Sequence, residues 1–176
     1  FAIFKKNEKN EKKLTLNELM LIDTQISLIK KGVDINWNTQ EVFLKFDREK
    51  IMLNAKLFSE KLIVHKRDYI YKKLVKLQTS IKIKKDSILI HQGAIVNIEN
   101  VKIELSGGIF HGEIIDLKFS LKEQNLTNII SHTPEHLKSI YSSFKADGNV
   151  NCRGNIQGLI NKVSNPYLNM VFNIKR

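Results

Sequence analysis

Apolar and polar residues alternate with a period of two along most of the chain from Leu14 onward. Successive side chains of a β-strand point to opposite sides of the sheet, so this alternation predicts strands with one apolar and one polar side. Segment 101–105 is typical, because its three apolar residues alternate with Lys102 and Glu104. Short polar breaks between such segments predict turns that join consecutive antiparallel strands. We therefore expect an all-β, mainly antiparallel fold, built as a curved, elongated sheet or groove.

One stretch departs from this pattern and predicts a short helical insert near residues 126–143. Asn125 is a suitable N-cap for a first turn, since a side-chain oxygen there accepts a hydrogen bond from a free backbone N–H. Thr133 followed by Pro134 predicts a second helix start, because proline fits the first helical position. The apolar residues of this second helix would share one side: Leu137, Ile140, Tyr141 and Phe144. We expect the insert to cover part of the sheet.

Glycine and proline indicate where the strands are irregular. The adjacent Gly107 and Gly108 predict a turn or a bulge. Segment 146–160 contains three further glycines, which predict a bent strand, since glycine weakens regular pairing: Gly148, Gly154 and Gly158. Pro166 stands just before the last alternating segment, and proline is tolerated at the entrance of a strand. A final strand is therefore expected to begin directly after Pro166.

The chain divides into two parts. Residues 1–13 include a run of charged and polar residues without an apolar position, which predicts a Lys-rich, solvated linker. Residues 14–176 form the predicted β-groove domain, and a chain of 176 residues is long enough for one domain with a sizeable core. Because the chain starts at Phe1 and ends in an open strand pattern, we expect it to be a fragment of a longer protein.

The net charge of +11 raises the question of an anionic partner. Of the 29 basic residues four are arginine, which leaves 25 lysines, and these are spread over every segment. A scattered excess of lysine is typical of solvated positions and does not form a patch. Aromatic residues do occur beside basic ones, as nucleic-acid binding would require: Trp37, Tyr69 and Tyr71 lie near Lys66, Arg67, Lys72 and Lys73. We keep nucleic-acid binding as a less favoured alternative and expect no nucleic-acid partner.

No set of residues in the sequence has the spacing of a catalytic or metal-binding motif. Cys152 is the only cysteine, and we interpret it as a small apolar side chain of the sheet. His132 and His136 lack the glutamate of a His-Glu-x-x-His zinc motif. Phosphate-binding glycine loops and nucleophile elbows are also missing from the sequence. We therefore expect no enzyme activity, no metal and no cofactor.

The apolar side of the strands is the informative feature, and two interpretations stay open. In a β-sandwich this side would be buried against a second sheet, which the pattern alone favours. In an open, curved sheet it would form a groove for acyl chains, since burying one methylene gains roughly 0.8 kcal/mol. The residues that we predict to line such a lipid groove are Ile81, Ile83, Val101, Ile103, Leu105, Ile115, Leu117, Phe119, Met170 and Phe172.

The chain resembles the AsmA-like family, which is related to TamB, and in particular its members from Bacteroidota. Three segments near the C-terminus support the resemblance: a helical segment ending in Pro134, a glycine-rich strand and a strand led by Pro166. These are residues 129–134, 145–158 and 165–172. Two upstream segments, 14–21 and 101–108, are similar to strands of the same family. The resemblance covers most of the chain.

This resemblance implies a long β-groove protein of the periplasm. The full-length protein would be held in the inner membrane by an anchor outside this fragment. Its partners would be phospholipid acyl chains, the inner membrane and other envelope or outer-membrane proteins, and its role would be phospholipid transfer or outer-membrane assembly. The family supplies no catalytic residues, so the expectation concerns a surface. A closed β-domain that scaffolds envelope proteins is the main alternative.

Overall fold

The structure is a computed structural model that describes residues 16–30, 33–64, 66–111, 114–134, 147–159 and 166–175. The predicted linker 1–13, the domain start at Leu14 and the second helical turn after Pro134 lie outside the described residues. The described residues consist almost entirely of β-strands. The strands are β1 (Glu18–Lys30), β2 (Val33–Asp47), β3 (Lys50–Val64), β4 (Arg67–Lys84), β5 (Ser87–Ile98), β6 (Val101–Phe110), β7 (Ile114–Asn125), β8 (Asn149–Leu159) and β9 (Tyr167–Lys175). A single short helix, α1 (Leu126–His132), follows β7 in this part of the chain.

The strands form one open antiparallel sheet in which their order along the sheet equals their order along the chain. Each strand pairs with its chain neighbours, as the short predicted turns require. The prediction of an all-β, mainly antiparallel sheet with a short helical insert is confirmed. A second sheet does not occur in the described part of the chain, so the sandwich interpretation does not describe this architecture.

Cross-strand pairing brings apolar residues from all nine strands to one side of the sheet, although some, such as Phe43, Phe58 and Leu89, pair on the opposite side. Directly opposed residues of antiparallel strands share a side, so each row of partners can be followed across the sheet. We call the side defined by the following three rows the apolar face. The rows are Leu21, Val42, Ala55, Leu77, Val96 and Ile103; Phe46, Ile51, Ile81, Ile90, Gly107, Leu117, Ile156 and Leu168; and Ala94, Leu105, Phe119, Gly154 and Met170.

The opposite side, which we call the polar face, carries lysine and amide side chains at the intervening positions, such as Lys76, Lys118 and Asn155. Ion pairs cross between its strands: Lys122 Nζ lies 2.8 Å from Glu104 Oε2, and Lys45 Nζ lies 3.0 Å from Glu18 Oε1. The hydrogen bond from Lys122 holds the pKa of the Glu104 carboxyl below its ordinary value. Because these groups are solvent-exposed, their ion pairs add little to the free energy of unfolding, and their charges mainly favour solubility.

Bulges change which residues of a strand face the apolar side. Asp23 (φ 48°) and Gln40 lack paired partners, so β1 changes from odd-numbered to even-numbered apolar positions there. The Thr39 hydroxyl pairs with the backbone beside this irregularity, since it accepts a hydrogen bond from Thr24 N–H and donates one to Thr24 O. The polar Thr39 side chain is thereby accommodated at a buried position of the apolar face.

Burial is concentrated on the apolar face. In the described part of the chain ten residues other than glycine are buried, and the strand register places all of them on this side: Thr39, Val42, Ala55, Leu57, Ser59, Val75, Ala94, Val101, Val150 and Cys152. The largest cluster packs between β2, β3 and β4 around Leu57, which is 2% exposed. Strand twist and bulges curve a sheet. We attribute the burial to this curvature, with the apolar face on the inside.

Three local predictions have structural outcomes. Asn125 caps α1 as expected, since its Oδ1 accepts a hydrogen bond from Asn128 N–H at 3.1 Å. β9 begins directly after Pro166, as predicted. Of the turn or bulge predicted at Gly107 and Gly108, the turn is wrong, because both residues lie inside β6 and pair with strands on both sides. The irregularity lies opposite them, where β5 has no paired residue between Ile90 and Ala94.

Candidate functional site

The ten residues predicted to line a groove all lie on the apolar face. Ile81, Leu105, Leu117, Phe119 and Met170 belong to the rows that define it, and Ile103 ends the first row. The remaining four join it through direct partners: Ile83 with Ile88, Val101 with Ile98, Ile115 with Ile109, and Phe172 with Cys152. The structure therefore brings the whole predicted set onto one continuous surface.

Exposure on this surface increases toward its edges. Val101 is buried, whereas Ile83, Met170 and Phe172 are 47%, 42% and 58% exposed. Soluble proteins rarely leave large contiguous apolar areas uncovered unless the area binds a partner, a ligand or a membrane. At nine strands spaced about 4.8 Å apart, the face is roughly 38 Å wide. An acyl chain lying along it would therefore contact several strands.

The helix α1 connects to the apolar face at one end of the strands. Lys73 on β4 contacts it, since its Nζ lies 2.9 Å from His132 Nδ1. A lysine ammonium only donates, so the imidazole nitrogen accepts. Burial, and secondarily the Lys73 charge, lowers the pKa of His132, while the Glu99 carboxylate acts in the opposite direction. Glu99 itself accepts a hydrogen bond from Leu74 N–H at 2.7 Å.

Lys73 is unusual for its position. Among the strand residues whose side chains are described, the other charged residue at a paired position of the apolar face is Arg67, which stands at the start of β4. Lys73 lies further inside, where Ser59 is its partner on β3. Ser59 in turn pairs with Trp37 on β2, so three hydrogen-bond donors form a row across three strands.

Two members of this row have no hydrogen-bond partner. The Ser59 side chain is 0% exposed, and its Oγ is unpaired. The Trp37 Nε1 is buried and also unpaired. Unpaired buried donors are uncommon in proteins and call for an explanation.

We refer to Trp37, Ser59 and Lys73 as the donor row. Period-two alternation did not predict this row, because the bulge at Glu60 and Lys72 changes which residues of the strand face the apolar side.

A depression of about 910 Å³ lies where the pairing between β4 and β5 opens. Its lining combines residues of both sides of the sheet, for example Ile90 and Gly107 from the apolar face and Ser80 and Lys82 from the polar face. Charged residues of the β2–β3 turn border it, and Glu49 forms an ion pair with Lys82 at 3.1 Å. Leu89 and Phe110 also pair on the polar face, so most of the paired strand residues that line the depression lie on that side of the sheet.

Other sequence-based candidates do not assemble into a site. Trp37 and Tyr71 lie on opposite sides of the sheet, so the aromatic and basic residues considered for nucleic-acid binding do not share one face. Cys152 is buried on β8, and burial raises the pKa of its thiol. The described residues contain no group of three or more His, Cys, Asp or Glu residues arranged to hold a metal ion. His136 lies outside them.

No helix in the described part of the chain has the length and apolar composition needed to cross a membrane. No protein-family model, curated protein or solved structure matches the chain.

Proposed function

We propose that this chain is a non-catalytic, lipid-binding segment of an AsmA-like envelope protein, in which the apolar face accepts phospholipid acyl chains. The observation that carries the proposal is the continuous apolar row from Phe46 on β2 to Leu168 on β9. This row spans eight strands without a charged residue. Such a surface matches a hydrocarbon chain in chemistry.

The energetics favour this occupant. Each buried methylene contributes roughly 0.8 kcal/mol, so even half-burial of one long acyl chain offsets several kcal/mol of binding cost. The exposed residues Ile83, Met170 and Phe172 provide the area that such a chain would cover. The proposal includes a periplasmic location, an inner-membrane anchor in the full-length protein, and a role in phospholipid transfer or outer-membrane assembly with envelope proteins as partners.

The direct test is native mass spectrometry of the purified protein, with copurifying phospholipid as the expected result. A second experiment compares the variants Phe172→Asp and Asn173→Asp. Both residues are exposed on β9, but Phe172 lies on the apolar face and Asn173 on the polar face. Uptake of a fluorescent phospholipid should fall severalfold in Phe172→Asp and stay unchanged in Asn173→Asp. Equal uptake by both variants, or a lipid-free wild type, would contradict the proposal.

A further inference from the structure

The donor row is a polar interruption within the apolar face. Trp37, Ser59 and Lys73 are consecutive cross-strand partners, so their side chains lie on one side of the sheet. Direct neighbours across antiparallel strands have Cβ atoms about 5 Å apart. The row therefore presents three donors over a span of roughly 10 Å.

The hydrogen-bonding capacity of this row is largely unused. Ser59 Oγ and Trp37 Nε1 have no partner. Lys73 contacts His132 Nδ1, and since an ammonium carries three N–H groups, further donors remain for a ligand. Leaving buried donors unpaired costs free energy, and a ligand with several acceptor oxygens would recover it.

We propose that the donor row binds the phosphate and ester oxygens of a phospholipid headgroup, with Lys73 on the phosphate and with Ser59 and Trp37 on the glycerol ester region. This inference rests on the proposed function, because the acyl chains would lie along the apolar face. A carboxylate is too small to engage donors on three strands, whereas a glycerophosphate with its ester carbonyls extends over a comparable distance. Ser59 is fully covered, so binding requires the long Lys73 side chain or other neighbours to move aside.

The groups around Lys73 include one carboxylate, Glu99, and one imidazole, His132, and each is held by a hydrogen bond. The Glu99 carboxylate at the same end of the sheet is engaged by Leu74 N–H, which keeps one oxygen directed at the backbone. His132 accepts from Lys73 and so holds the ammonium near α1. The helix thereby orients the cation of the site.

The experiment uses Trp37, the only tryptophan of the chain, as a fluorescent reporter within the site. Dioleoyl phosphatidic acid, dioleoylglycerol and inorganic phosphate are titrated separately, with the lipids in nonionic detergent micelles. The two lipids have the same acyl chains and differ in the phosphate. We expect phosphatidic acid to bind about tenfold more tightly than dioleoylglycerol, as a charge-assisted hydrogen bond implies. Lys73→Met should abolish this preference.

The matched control is Lys76→Met on the same strand, since Lys76 is exposed on the polar face and its loss should leave the preference intact. Ser59→Ala retains the lysine and should weaken phosphatidic acid severalfold, which keeps the test valid if Lys73→Met does not fold. Equal binding of the two lipids by the wild type would overturn the headgroup site and leave the proposed function standing. Binding of neither lipid would overturn both. Inorganic phosphate bound as tightly as phosphatidic acid would overturn the lipid source of the anion.

Discussion

Lys73 Nζ on β4 lies 2.9 Å from His132 Nδ1 on α1, and this contact joins residues 59 positions apart in the sequence. The helix follows β7, three strands away from β4 in the sheet. The contact therefore joins α1 to a strand that is not its neighbour in the sheet.

The first prediction concerns the pH dependence of this contact. The pKa of His132 is lowered by burial and by Lys73, so the unfolded chain, with a histidine pKa of about 6.5, takes up the proton before the folded one does. The stability that neutral His132 contributes is thus fully present above about pH 6.5 and is lost as the pH falls through the folded pKa. His132→Asn retains an acceptor but does not titrate. We measure the free energy of unfolding of both proteins with urea from pH 7.5 to pH 5. That of the wild type should fall relative to that of His132→Asn as the pH decreases.

Lys73→Met provides the comparison for that experiment, because removing the ammonium removes the charge that opposes protonation of His132. Its stability should therefore decrease less steeply with falling pH than that of the wild type. A pH-independent difference between wild type and His132→Asn would contradict the assignment of a depressed pKa.

The second prediction compares two threonines of the apolar face. Thr39 Oγ1 bonds both Thr24 N–H and Thr24 O, so Thr39→Val would leave two backbone groups unpaired. We expect a loss of about 1–3 kcal/mol in the free energy of unfolding. Thr79 Oγ1 is buried without a partner, so Thr79→Val should be neutral or stabilising. Urea unfolding of both variants measures this, and a destabilised Thr79→Val would show that its hydroxyl has a partner in solution.

The third prediction separates backbone strain from steric collision at two glycines. Both Gly93 (φ 93°) and Gly107 (φ 120°) adopt conformations unfavourable for other residues. A Cβ atom at Gly93 would meet open space, whereas at Gly107 it would collide with the backbone carbonyl of Asp116. Gly93→Ala should cost about 1–2 kcal/mol, and Gly107→Ala more than about 3 kcal/mol, because β7 must shift as well. Thermal unfolding gives both values, and equal losses would refute the collision.

Period-two alternation was sufficient to predict the strands and to group the ten lining residues. Its success has a simple cause, since cross-strand partners share a side and the alternation of segments such as 101–105 and 115–119 continues without a bulge. Residues on the apolar face could therefore be selected without knowledge of the strand register.

The features that alternation missed depend on the bulges and on distant contacts. Alternation predicts Lys73 to be a surface lysine. It lies beside Ser59 on the apolar side because of the irregularity at Glu60 and Lys72. The pair Gly107 and Gly108 predicted a turn or a bulge. What requires glycine there is the close approach of backbone from β5 and β7, which involves residues far away in the sequence. The contact between α1 and β4 likewise joins segments that no local pattern connects.

The strictly sequential strand order has a consequence for how the molecule assembles and changes. Except for the connection that carries α1 between β7 and β8, each hairpin closes only a small loop, so pairing can spread strand by strand from a starting hairpin, as in repeat proteins. Adding or deleting a hairpin at either side lengthens or shortens the array without rearranging the remainder. The length of the sheet can therefore change while its apolar and polar faces stay the same.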